Sequence, residues 1–192
     1  MMIKRVLCVL TLSLVLAGSV WADGGLKGLE LGGGARFELA AGAMKEHETG
    51  NLVVALDAAW PLPLGLSQDG LVTAVGLGAQ AGVLFPVGKK SYIDSWWGMD
   101  FALGAYVDLK INSLITIRPE LAADIRLNMV NSDVQDVHGS FMDFGGRFAV
   151  NAVFDVTNGL LVKVGAGYTI FPEKDNVCHY IGFNVGAAYR FN

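Results

Sequence analysis

The sequence predicts an all-β fold: an eight-stranded antiparallel up-and-down barrel that spans a membrane. Three observations carry that expectation. First, segments of ten to fifteen residues alternate apolar with small or charged side chains. One such segment sets Ile115, Ile117, Pro119, Leu121, Ala123, Ile125 and Leu127 against Thr116, Arg118, Glu120, Ala122, Asp124, Arg126 and Asn128. A strand turns successive side chains to opposite faces, so this ribbon is greasy on one side and ionic on the other. Second, the chain is 53% hydrophobic with a mean hydropathy of +0.45. Beyond its leader it nevertheless holds no apolar run near the ~20 residues that a membrane helix requires. Third, polar connections divide the ribbons, mostly long at one end and tight at the other, as when strands cross a bilayer and return.

The leader comes first. Lys4 and Arg5, the apolar run Val6 to Leu16 and the small-residue site Val20-Trp21-Ala22 read as a secretory signal peptide over residues 1–22. The barrel domain is then expected over residues 23–192. Cys8 sits too early, behind Arg5-Val6-Leu7, for lipid attachment and leaves with the leader, so Cys178 can form no intramolecular disulfide. Loss of Lys4 and Arg5 leaves 12 basic residues against 18 acidic, a net charge of −6. That balance argues against nucleic acid as a partner.

The expected strands follow in order. The first, near 30–43, turns Leu31, Ala35, Phe37, Leu39 and Ala41 outward and Arg36 and Glu38 inward. The second, near 51–60, places Asp57 inward behind Leu52, Val54, Leu56, Ala58 and Trp60. The third, near 71–85, sets Leu77, Ala79, Val83 and Phe85 against Gly76, Gly78, Gln80 and Gly82. The fourth, near 96–110, sets Trp97, Met99, Phe101, Leu103 and Ala105 against Asp100, Tyr106, Asp108 and Lys110. The fifth is the ribbon above, where Pro119 removes a ladder donor and predicts a bulge. The sixth, near 140–156, sets Phe144, Phe148, Val150 and Phe154 against Asp143, Arg147, Asn151 and Asp155. The seventh, near 160–171, sets Val162, Val164, Tyr168 and Ile170 against Lys163, Gly165 and Thr169. The eighth, near 180–191, sets Ile181, Phe183, Val185, Tyr189 and Phe191 against Asn184 and Arg190.

Longer polar loops are expected at 44–50, 86–95, 129–139 and 172–179. Turns 110–113 and 157–159 are tight, the latter an Asn-Gly hairpin signal. The connection 61–70 is an exception, long on the short-turn side. Two aromatic groups flank the aliphatic band: Phe85, Trp96, Trp97, Phe171 and Tyr180 near the long loops, and Trp60, Phe154, Tyr189 and Phe191 at the opposite rim. They are expected at the two membrane interfaces. The competing reading, a soluble sandwich with these aromatics in its core, would leave a second face full of charge.

In this pattern, and in an alternating last strand Val185-Gly186-Ala187-Ala188-Tyr189-Arg190-Phe191 that finishes on an aromatic, the chain resembles the small eight-stranded outer-membrane barrels of Gram-negative-type bacteria, the OmpA- and OmpX-like group. The resemblance covers the whole processed chain. It implies an outer-membrane location, contact with outer-membrane lipid, and handling by periplasmic chaperones and the barrel-assembly machinery, which reads such endings in this family. Asn192 follows the aromatic here, whereas the family usually stops on it.

Eight strands enclose a space just wide enough for side chains. Arg36, Glu38, Asp57, Asp100, Asp108, Lys110, Arg118, Glu120, Asp124, Arg126, Asp143, Arg147, Asp155, Lys163 and Arg190 all fall on the inner face. Desolvating an unpaired ion costs several kcal/mol, so these charges are expected to form a paired plug. A narrow gated path through them is the alternative, while a wide pore needs about twice as many strands.

No catalytic, cofactor or metal residue is assigned. The histidines His47, His138 and His179 lie in expected loops without a serine pattern, and a lipid-modifying enzyme is the third reading. With Cys178, Glu46, Glu48, Asp133 and Asp136 they match zinc or copper ligands in type but not in spacing. Gly32-Gly33-Gly34 and Gly76-Leu77-Gly78 lack the strand–loop–helix setting of a phosphate loop. The expected role is therefore structural or surface-directed, for a monomer that offers its four long loops to extracellular partners.

Overall fold

The computed structural model describes residues 27–42, 49–88, 93–132, 137–172 and 177–191. They form eight strands: β1 (Glu30–Gly42), β2 (Gly50–Pro61), β3 (Val72–Val87), β4 (Ser95–Lys110), β5 (Ile115–Ser132), β6 (Val137–Thr157), β7 (Leu160–Pro172) and β8 (Val177–Arg190). Each pairs antiparallel with its sequence neighbour, and β1 pairs with β8, so the sheet is a closed barrel. Closure satisfies every ladder edge, which an open sheet in lipid could not do. No helix among the described residues is long and apolar enough to cross a membrane.

The alternation sets the facing. Leu56, Leu121, Phe144, Phe148, Phe183 and Val185 are exposed on the outside, while Glu38, Asp100, Arg118, Asp124 and Arg126 are almost fully buried within. This is the inverse of a water-soluble barrel. An apolar wall of this extent contacts membrane lipid, and the ions it encloses are screened from lipid by the sheet.

The tight turn after β6 is of the expected type. Asn158 (φ 42°) and Gly159 (φ 90°) both adopt the left-handed region that a two-residue hairpin requires.

Several sequence expectations need correction. Pro119 makes no bulge: Tyr106 pairs with Glu120 and Leu109 with Ile117 in one continuous register, and Pro119 itself pairs with Val150 on β6. The missing donor interrupts pairing only on the β4 side. The register shifts lie instead at Val72/Ala74 and Asp155/Thr157, beside the turns. Strands also run further than expected. Pro86 and Val87 extend β3, Met129 to Ser132 extend β5, and Val137 to Gly139 begin β6. Pro172 ends β7, while Val177, Cys178 and His179 begin β8, so Cys178 and His179 belong to a strand and not a loop. Pairing continues because antiparallel neighbours satisfy each other's backbone whether lipid or water lies outside.

The extension is uneven. β6 pairs with β5 along its length, from Ser132↔Val137, whereas its pairing with β7 begins only at Gly146↔Ile170. At the long-loop end β6 therefore continues past its pairing with β7, while β5 stays paired with β4 as far as Ser95↔Asn131.

Candidate functional site: two ion-pair plugs in the lumen

Inward residues from all eight strands gather into two clusters, one toward each end of the lumen. The cluster nearer the short turns centres on Arg118 of β5. Its Nη1 and Nη2 donate to Glu30 Oε2 and Oε1 at 2.7 and 2.9 Å, and its Nε and Nη2 to Asp108 Oδ1 and Oδ2 at 2.6 and 2.8 Å. One planar guanidinium thus binds two carboxylates bidentately, a geometry that lysine cannot reproduce. The Tyr106 ring covers its face at 4.2 Å.

Glu30 also accepts from Arg190 Nη2 at 2.8 Å and pairs with Lys163 Nζ at 3.4 Å, while Lys163 reaches Asp57 at 2.8 Å. Arg190 Nη1 lies 3.5 Å from Asp155 at the rim. Glu30 therefore joins β1 to β5, β7 and β8, bracing the barrel across its diameter.

The second cluster lies nearer the long loops. Arg36 binds Glu38 and Asp100, each at 2.9 Å, and donates to Gln80 Oε1 at 2.7 Å. Arg126 binds Asp100 at 2.9 Å and Glu38 at 2.6 Å, and Thr169 donates to Glu38 at 3.2 Å. Arg147 donates to Gln80 at 2.6 Å and stands 3.6 Å from Asp124 Oδ2. The Asp124 oxygens accept no hydrogen bond from described residues. Farther out, Asn128 donates to Asp143 at 2.8 Å and accepts from Trp96 Nε1 at 3.1 Å.

The aromatic expectations divide. Phe85, Trp97 and Tyr189 are exposed on the outer wall, and Phe191 meets Tyr189 edge-on. Trp60 and Phe154 are half-buried, paired across the ladder with outward Leu77 and Val162. Trp96, Phe171 and Tyr180, expected at the interface, instead face the lumen. Phe171 and Tyr180 pack edge-on and cover Arg126 at 4.5 and 4.8 Å from their ring centroids. Their even or odd register with Asn128, Thr169 and Gly182 already places them inside. Membership of a local aromatic group was the weaker signal.

Between the plugs lies a chamber of about 100 Å³, bordered by Arg36, Gln80, Glu120, Arg147, Asn151 and Lys163. It holds roughly three waters' worth of space. Gly76 leaves room at its base: a Cβ there would lie 2.4 Å from Tyr106 Cζ and 2.3 Å from the Trp60 carbonyl oxygen. Gly76→Ala is expected to displace Tyr106 from Arg118 and cost about 1–3 kcal/mol through overpacking. A lowered urea midpoint of the folded barrel in vesicles is the measurement, and an unchanged midpoint contradicts it.

Some residues lay within reach of the same reasoning and were passed over. Glu30 shares the inner parity of Arg36 and Glu38. Gln80, Tyr106, Asn128 and Thr169 sit on inner faces but carry no formal charge. Lys110 goes the other way: its Nζ leaves the lumen network and donates to the Gln68 carbonyl at 2.7 Å.

The loop residues Glu46, His47, Glu48, Asp133 and Asp136, and the His138 side chain, lie outside the described residues, as does the leader 1–22. His179 points to the outer wall, where the Tyr168 hydroxyl bonds its Nδ1, whereas Cys178 is buried inside against Ala40, Phe171 and Tyr180. No group of three metal-ligand side chains occurs among the described residues.

No family model matches the chain, and no curated protein is similar to it in sequence. Solved structures are similar in fold. Ail, the attachment invasion locus protein of Yersinia pestis, shares 14% identity over 86% of this chain and 99% of its own, with a TM-score of 0.59. Neisserial surface protein A also shares 14% identity, over 88% of this chain and all of its own length, with a TM-score of 0.62. A further structure of Ail, in complex with the heparin analogue sucrose octasulfate, aligns at 13% identity over 86% of this chain and 99% of that one, with a TM-score of 0.58. The chain has the fold of the small outer-membrane barrels.

Proposed function

We propose that the protein is a monomeric, non-catalytic barrel of the bacterial outer membrane, exported by its 1–22 leader, with a structural or surface-interaction role. The blocked lumen is the observation that carries this reading. Arg118 with Glu30 and Asp108 closes one half, Arg36 and Arg126 with Glu38 and Asp100 close the other, and only about 100 Å³ lies between them. Opening a path would separate several buried pairs, each costing kcal/mol in a space that strands fill with side chains.

Two further features support a surface role. On the long-loop side β6 continues beyond its pairing with β7. The names of two similar barrels, an attachment invasion locus protein and a surface protein, point the same way. Outer-membrane lipid is the partner of the outer wall. Periplasmic chaperones and the barrel-assembly machinery would act in biogenesis, and any extracellular partner would meet the long-loop end.

Planar-bilayer recording tests the closed lumen. Purified, refolded protein is expected to give no reproducible current steps. Discrete steps of constant size, abolished by heating the sample, would transfer the protein to the channel class.

A further inference from the structure

The short-turn mouth of the lumen holds a cavity of about 700 Å³, far larger than the chamber between the plugs. Its floor is the first plug: Glu30, Asp108 and Tyr106, which bind or cover Arg118, all border it. Its side wall is of another kind. Leu62, Leu64 and Leu66 from the connection after β2, and Leu114 from the connection after β4, line the same space. Leu64 and Leu114 are 56% and 61% exposed. Large aliphatic side chains left this open around a concavity mark a ligand pocket, and the volume falls in the range of several hundred Å³ usual for one.

The charges of the mouth do not balance. Each carboxylate in its lining has an arginine partner: Glu30 and Asp108 bind Arg118, and Asp155 lies 3.5 Å from Arg190. Arg190 is itself taken up by Glu30 and Asp155. Two lining cations are left over. Lys27 is exposed, Lys110 Nζ donates to the Gln68 carbonyl at 2.7 Å, and among the described residues neither meets a carboxylate. Lysine is a compact point charge, so the surplus attracts an anion without fixing its geometry.

The cations flank the leucine-bearing connection. Gly28, next to Lys27, packs where that connection begins: a Cβ on it would lie 2.8 Å from Pro61 Cγ. Lys110 holds the far end, through Gln68 and through its backbone N–H, which donates to the Leu71 carbonyl at 2.8 Å. Leu62 N–H bonds the Val75 carbonyl at 2.8 Å. Backbone contacts thus fix the apolar wall between two positive ends.

We propose that this mouth binds a single-chain amphiphile with an anionic head. The chain lies against Leu62, Leu64, Leu66 and Leu114, and the head sits at Lys110 and Lys27. The ligand enters from the aqueous side and not from the bilayer, because the floor is the lumen's own plug and the strands around it pair in a closed ring. The inference goes beyond the proposed role and rests on the barrel fold alone.

The probe is decanoate with a photoreactive diazirine at its chain end, added to the barrel in phosphatidylcholine nanodiscs, with adducts mapped by peptide mass spectrometry. Adducts are expected on residues 62–66 and 114. Excess decanoate should lower them severalfold, and decyltrimethylammonium, of the same chain length, should not. Lys110→Gln and, separately, Leu64→Gln should each lower them severalfold while the unheated barrel keeps its gel mobility, with Lys27→Gln in place of a Lys110 variant that does not fold. Equal competition by the two amphiphiles, or undiminished adducts in the folded variants, overturns the anionic site. Adducts confined to outer-wall residues such as Leu103 and Val150 leave the mouth to water and overturn the pocket.

Discussion

Arg118→Ala is expected to cost about 3–5 kcal/mol of barrel stability, the cost of leaving buried partners uncompensated. Arg118 is 1% exposed and supplies all the charge-assisted contacts that Asp108 receives in the network, together with two of those on Glu30. Removing it strands two carboxylates between protein walls, with Arg190 and Lys163 left to neutralise only Glu30. Unfolding midpoints in urea, with the protein in vesicles, measure the loss. Arg118→Lys should recover a minority of it, since one ammonium cannot serve both carboxylates with paired N–H groups. Arg190→Gln should be milder because Arg190 sits at the rim, 30% exposed, and water replaces part of what it provides. Equal losses for Arg118→Ala and Arg190→Gln would show that the plug is hydrated throughout and that its pairs contribute little.

The contrast between these two arginines also shows where the sequence was legible. Both fall on the inner face by parity, and parity is a local property: it needs only the two-residue repeat of a strand. Which carboxylate each arginine meets is not local. Arg118 and Glu30 are 88 residues apart, and Arg190 and Glu30 are 160 apart. Their meeting depends on strand stagger around the closed sheet, which no alternation pattern encodes. Phe171 and Tyr180 illustrate the opposite case. Their inner parity was readable, but proximity to Trp97 and Phe85 in the pattern of rims suggested the interface. Burial of the rings is stabilised by a partner, Arg126, that only the closed barrel brings to them.

Strand ends were the least legible part. The polar residue Asn131 falls in an expected loop, yet it lies within a ladder that continues past the apolar band. Hydropathy marks where lipid stops, whereas backbone pairing stops only where two neighbouring strands diverge. At the β5–β6 hairpin these limits separate, and at the β6–β7 boundary they nearly coincide.

The other large effect separates the two faces of one strand. Leu103→Arg is expected to cost about 2–4 kcal/mol, the penalty for a cation on the lipid face near mid-bilayer. Leu103 lies midway along β4, between Ala79 of β3 and Ala123 of β5, two small residues that leave its side chain open to lipid. Its neighbour Ala102 is buried beside Gln80 and borders the internal chamber. Ala102→Ser adds a hydroxyl that can bond there, so its cost should stay below about 1 kcal/mol, the scale of one hydrogen bond gained or lost. Urea midpoints for both variants, measured in the same vesicles, give the comparison. A penalty at Ala102 equal to or above that at Leu103 would mean that the ionic face, and not the aliphatic one, meets the bilayer. No rearrangement of the plugs could rescue the barrel from that result, because reversing the facing would place Arg118, Arg126 and Asp100 in lipid together.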